Sequence, residues 1–250
     1  MPALHRLLVL AALALASTAA HAGEVQVAVA ANFAGALGKI GEGFTAATGH
    51  RLKLSSGATG KLRSQIVAGA PFEVFLAADD AAPKRLEAEG HAVPGTRFTY
   101  AVGRLALWSA QPGFVDAQGA VLAKGRFAHL AVGNARLAPY GAAAAEVIAA
   151  QGLTQALAPK LVTGESIAQT YQFVATGNAE LGFVAWSQLL VPGKPVGGSH
   201  WLVPAALHAP IRQDAVLLKA GEKNPAALAL LAWLKSEPAR QVMQTFGYGP

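Results

Sequence analysis

Between Ser55 and Asp79 the chain reads SSGATGKLRSQIVAGAPFEVFLAAD, and this stretch leaves a fold few options. A strand end runs into a loop of small hydroxyl and glycine residues. A short amphipathic helix follows over Gly60–Ala68, then a turn at Gly69-Ala70-Pro71, then an apolar strand over Phe72–Ala77. Strand, helix and strand at this spacing form part of a mainly parallel sheet covered by helices. The loop also has a chemical meaning. Free backbone N–H groups at a helix start meet anions. Ser, Thr and Gly there supply donors and close approach but no charge, a combination suited to holding an oxyanion without neutralising it.

The alternation extends through the chain. Glu24–Ala30 reads as a strand, and Phe33–Thr48 as a helix with Leu37, Ile40 and Phe44 on one face and Gly49 as its stop. Arg51–Ser55 is a strand, Pro83–Glu89 a helix and Thr99–Trp108 one long strand with an internal Gly103. The second half repeats the logic. Strands are expected at His129–Val132, Lys160–Val162, Leu181–Ala185 and Ala215–Leu218, and helices at Gly141–Gln151, Ile167–Thr176, Pro225–Lys235 and Pro238–Phe246. The class is α/β. Such sheets bind ligands at the carboxyl ends of their strands. Four loops there open helices: Ala30-Ala31-Asn32, Gly57-Ala58-Thr59-Gly60, Pro139-Tyr140-Gly141 and Glu165-Ser166-Ile167.

The first residues read as an export leader. His5 and Arg6 precede the apolar run Leu7–Ala16, too short to span a bilayer, and Ala20-His21-Ala22 is an A-x-A cleavage pattern. Residues 1–22 are thus expected to be a cleaved signal peptide, with the mature chain starting near Gly23 and working in the periplasm. The chain has no cysteine, so disulfides and thiolate metal sites are excluded. Its 20 Lys and Arg against 14 Asp and Glu are scattered, without a basic run interleaved with aromatics, which argues against nucleic acid.

Other chemistries lack their residues. Lys61 invites a phosphate-loop reading, but G-x-x-x-x-G-K-[ST] would need glycine at 55 and Ser or Thr at 62, where the chain has Ser55 and Leu62. There is no G-x-S-x-G and no H-E-x-x-H. Asp79-Asp80 follows a strand and precedes Ala-Ala-Pro, a place for capping the next helix rather than for acid–base work. No catalytic set emerges, and an enzyme is not expected. Asn32, taken alone, could simply cap a helix.

Several segments together resemble the periplasmic molybdate-binding proteins, the soluble receptors of molybdate ABC transporters. They are VAVAANF at Val27–Phe33, the Ser55–Asp79 stretch, LAVGNARLAPYGAAAAEVI, GESIAQTYQFVATGNAELGFVAWSQ and the closing PARQVMQTFGYG. The resemblance implies a two-lobed periplasmic binding protein of type II, each lobe a mixed, mainly parallel sheet flanked by helices. Lobe I would comprise residues 23–103 and 206–250, and lobe II residues 104–205, joined by crossing strands near Tyr100–Leu107 and Ile211–Leu217. The family's anion-binding positions fall on Asn32, on Thr59 with Ala58 beside it, on Tyr140 and on the backbone of Ile167. Where some members carry a further tyrosine this chain has Ala185, and the Tyr140 hydroxyl is expected to replace it. The implied ligand is molybdate or tungstate with no cofactor, a nearby oxyanion such as sulfate or phosphate being the alternative. The implied partner is a membrane permease, served by a monomer.

Overall fold

The computed structural model describes residues 22–249. The leader expected over 1–22 therefore lies, apart from Ala22, outside the described residues. Two five-stranded sheets form two lobes. The first contains β1 (Glu24–Ala30), β2 (Arg51–Gly57), β3 (Val74–Leu76), β4 (Phe98–Gly103) and β10 (Ile211–Leu217), in the order β2-β1-β3-β10-β4. The second contains β5 (Leu105–Ser109), β6 (Leu130–Gly133), β7 (Leu161–Gly164), β8 (Leu181–Ala185) and β9 (Ser199–Leu202), in the order β7-β6-β8-β5-β9. In each sheet one strand runs against its neighbours, β10 in the first and β5 in the second. The other pairings are parallel, so both sheets are mixed and mainly parallel.

Helices cover both faces. On the first sheet α1 (Ala34–Thr48) buries Ala36, Leu37, Ile40 and Phe44 and ends at Gly49 in the left-handed region, φ 76°. It packs with α8 (Pro225–Leu234) and α9 (Glu237–Thr245) over Val25, Val27 and Val29. The opposite face carries α2 (Thr59–Val67) and α3 (Ala81–Ala88), through Leu62, Ile66 and Leu86. On the second sheet α5 (Pro139–Ala150) lies on one face and α7 (Ile167–Ala175) has Val174 buried on the other, with the short α4 (Val121–Lys124) and α6 (Thr154–Leu157) at the periphery. No described helix is long and apolar enough to cross a membrane.

Two expectations need correction. The single strand over Thr99–Trp108 is two strands in different sheets: the ladder of β4 ends at Gly103, Arg104 carries the chain across, and β5 joins the other lobe. β10 does not cross at all. It lies wholly in the first sheet, and the return path is the segment Val203–Pro210 before it. Period-2 patterning sees an extended backbone but not which sheet it pairs with. A bulge at Gln213/Asp214 pairs Gln213 with Ala101 and Asp214 with Thr99, leaving Tyr100 as the extra residue opposite. The buried Asp214 is held there by Arg97 and by the Thr99 hydroxyl at 2.7 Å.

Candidate anion-binding site

The four loops meet between the lobes. They follow β1 and β2 in one sheet and β6 and β7 in the other, at equivalent positions in the two strand orders. Between them lies a cavity of about 10 Å³, bordered by residues 30–32, 57–59 and 138–140, by Ala78 and by Ile167. Asn32, Ala58, Thr59, Tyr140 and Ile167 all border it, and all are buried. The space is small, with room for a compact ion rather than a sugar or a peptide.

Each position follows from local structure. Thr59, Pro139 and Ile167 open α2, α5 and α7, and the first-turn amides of a helix have no intrahelical acceptor. Among the described residues the N–H groups of Asn32, Ala58, Thr59, Tyr140 and Ile167 meet no protein acceptor, backbone or side-chain. The Thr59 hydroxyl accepts the N–H of Ala78 at 3.0 Å, which fixes its rotamer and leaves its own proton to give. Ser166 accepts the N–H of Gln169 at 3.3 Å, holding the start of α7. The Nε2 of Gln188 donates to the Ile167 carbonyl at 3.2 Å and steadies the same turn.

The Tyr140 hydroxyl, expected to replace a missing phenol donor, packs among polar groups of the first lobe. It rests on Gly103, where an added Cβ would lie 2.2 Å from it and 2.9 Å from the Nε2 of Gln213. Neither Gly103 nor Gln213 borders the cavity. The phenol thus reaches a polar cluster around Gln213, while the Tyr140 N–H stands without a protein acceptor at the start of α5. In that cluster the Asn32 amide lies 3.4 Å from the Tyr140 hydroxyl, 2.7 Å from the Oε1 of Gln213 and 3.1 Å from the Tyr248 hydroxyl. The Asn32 carbonyl accepts from Tyr248 at 2.8 Å and from Ser187 at 3.1 Å. Burial pushes the Tyr100, Tyr140 and Tyr248 hydroxyls above their ordinary range, so they remain neutral donors.

The lobes are closed on each other. The Gly60 N–H donates to the Leu137 carbonyl at 2.9 Å, and the Ser187–Asn32 bond also joins them. Ala30, Ala78 and Ile211 pack into the same apolar cluster as Tyr140 and Ile167. Beside the cavity a groove of about 470 Å³ is lined by Arg63, Arg85, Arg136 and Arg212 with Asp79, Asp80 and Glu146. Lys61 is exposed and borders neither space. Asp79 accepts the Ala82 N–H at 2.7 Å at the start of α3, as a cap would, and burial raises its carboxyl. No group of three or more His, Cys, Asp or Glu among the described residues could hold a metal ion.

Sequence reasoning named no role for Gln213, Tyr248, Tyr100 or Ser187. Gln213 had a signal: a neutral polar residue in the strand IRQDAVL, two positions after Ile211 and two before Ala215. Tyr248 sat in the closing FGYG segment, without a pattern to assign it a task.

The profile of the bacterial extracellular solute-binding protein family matches residues 25–249. The chain is 58% identical over 246 residues to the molybdate-binding protein ModA of Azotobacter vinelandii, covering 98% of each chain. The chain belongs to the ModA family. It is also 53% identical over 229 residues to ModA of Rhodobacter capsulatus, covering 92% of this chain and 89% of that one. Among solved structures, the periplasmic molybdate-binding protein of Azotobacter vinelandii superposes with a TM-score of 0.89 at 40% identity, covering 90% of this chain and 99% of that one. The ModA relatives are binding proteins, and the two-lobed architecture is theirs.

Proposed function

We propose that the chain captures molybdate, and tungstate of nearly the same size, in the cavity between its lobes and delivers it to the permease of an ABC transporter. The observation that carries this reading is the cavity's wall. Unpartnered helix-start amides and the spare proton of Thr59 border a space for one small ion, and no cationic side chain is among the bordering residues. In this reading Asn32 donates from its side chain, Thr59 from its hydroxyl, and Ala58, Tyr140 and Ile167 from their backbones. Hydrogen bonds to a charged acceptor contribute about 1.5–3 kcal/mol each, and each helix start adds about 0.3–1 kcal/mol through its dipole. Several together reach sub-micromolar affinity, beyond about −8 kcal/mol, after the cost of ordering the lobes.

Sulfate presents the same tetrahedron of acceptors in a smaller frame, so discrimination rests on cavity size. The lobes are read as residues 23–103 with 206–250, and 104–205; strand membership in the two sheets supports this division. The export reading of residues 1–22 supports work in the periplasm, and the receptor is read as a monomer. Kinship to binding proteins supports a receptor rather than an enzyme. Calorimetric titration of the mature chain tests the reading. Tight binding of molybdate and tungstate is expected, with sulfate and phosphate far weaker. Tight sulfate binding with none for molybdate overturns it.

A further inference from the structure

The Asn32 side chain is walled by more hydrogen-bonding partners than its nitrogen can serve. The Nδ2 has two hydrogens and three oxygen neighbours, Gln213 Oε1, Tyr248 and Tyr140. Meanwhile two buried polar atoms of the same pair have no partner: the Oδ1 of Asn32 and the Nε2 of Gln213. Tyr100 adds a third mismatch. Its hydroxyl donates to the Ala77 carbonyl at 2.9 Å, yet lies 3.3 Å from Gln213 Oε1 with no second proton to give. An orphaned buried polar atom costs about 1–3 kcal/mol, so a network with two is poorly matched.

Amide oxygen and nitrogen have the same shape, and the surrounding network decides between them. Exchanging them in both residues relieves the crowding at the Asn32 nitrogen and the Tyr100 mismatch at the same heavy-atom positions. Gln213 Nε2 then donates to Asn32 Oδ1 across the 2.7 Å contact and to the Tyr100 oxygen across the 3.3 Å contact. Tyr248 turns its one proton from the Asn32 carbonyl, 2.8 Å away, to Asn32 Oδ1 at 3.1 Å, and leaves that carbonyl to the Ser187 hydroxyl at 3.1 Å. Gln213 Oε1 then takes the unpartnered place behind the site, and the Nδ2 of Asn32 takes that of the unpartnered oxygen, on a residue that borders the cavity.

We propose that Gln213 is a positioning residue for ligand capture: by donating to Asn32 Oδ1 it turns the Asn32 Nδ2 toward the bound oxyanion. This rests on the oxyanion reading given above and names what sets the polarity of one of its donors. Without a donor at 213 the Asn32 amide can present its oxygen to the anion, which repels it. Gln213 sits at the bulge where β10 pairs with β4, so the strand beside the lobe crossing also fixes this donor.

A double-mutant cycle tests the role, with molybdate affinity read by calorimetry on folded protein. In the natural background Gln213→Met is expected to weaken binding by about tenfold or more; in an Asn32→Ala background it should change affinity less than about twofold. Additive effects, or no loss in the natural background, overturn the positioning role while leaving the oxyanion reading intact. A natural chain that binds no molybdate overturns both. Should Gln213→Met fail to fold, Gln213→Glu replaces it. The ionised acid only accepts, so affinity should fall at pH about 8 and recover toward about 5 as the acid protonates. That recovery should be absent in the Asn32→Ala background; its persistence there would assign the effect to charge alone and overturn the proposal.

Discussion

At the residue scale the site works with neutral donors whose protons are aimed by neighbours. Thr59 is the clearest case, since the Ala78 N–H occupies its oxygen and leaves its proton for a ligand. Thr59→Val should weaken molybdate binding about ten- to hundredfold, the loss of one hydrogen bond to a charged acceptor. It should also lower stability, because the Ala78 N–H is orphaned. Thr59→Ser should restore both, and paired titration and thermal melts check this. Asp79 makes a different prediction. Its carboxyl is raised, chiefly by burial, so the folded state binds its proton more tightly than the unfolded chain. Stability from this group is full below the ordinary carboxylate range and falls as pH rises through the raised value. Asp79→Asn keeps an acceptor for Ala82 and should melt higher at neutral pH, the advantage vanishing in acid; equal melting temperatures across pH would refute it. Asn32, Thr59 and Ile167 were legible because loop chemistry at a helix start is local. The contacts of Asn32 with the Tyr140 hydroxyl and with Gln213 were not, because these residues lie 108 and 181 positions from Asn32 along the chain.

At the scale of elements, strand and helix existence followed from periodicity, while pairing did not. β4 and β5 read as one strand because only Arg104 separates two apolar runs that belong to different sheets. β9, the short strand Ser199–Leu202, carries too little pattern to be seen. Closure of the lobes brings α2 against the loop before α5. A Cβ at Gly60 would stand 3.2 Å from the Leu137 Cα and 3.3 Å from its carbonyl oxygen. Gly60→Ala should therefore penalise the closed form alone. Molybdate affinity is expected to drop a few-fold, while the ligand-free protein gains up to about 1 kcal/mol from a better helix former. Titration and denaturant melts should show these opposite signs; a parallel change in both would mean that the contact is not specific to closure.

At the scale of the molecule, two sheets of equivalent strand order face one cavity, and each contributes two helix starts. A ligand that bridges them stabilises the whole. At a free concentration about a hundredfold above Kd the gain is about 2.7 kcal/mol, or about 5–10 °C in Tm for a chain of this size. Differential scanning calorimetry reads this, and an unchanged Tm with molybdate would contradict ligand bridging. Affinity should be flat within about twofold from pH about 6 to 9, since no carboxylate or histidine borders the cavity and burial keeps the phenols protonated. The lack of a carboxylate or histidine at the cavity has a further effect. No group there takes up a proton as a dianion is captured, so the loaded molecule is less positive than the empty one by about two units. For a basic chain, formally +6 over its full sequence, that difference sorts the two forms on a cation-exchange column. Loaded protein elutes first, with no label and no change in mass worth noting.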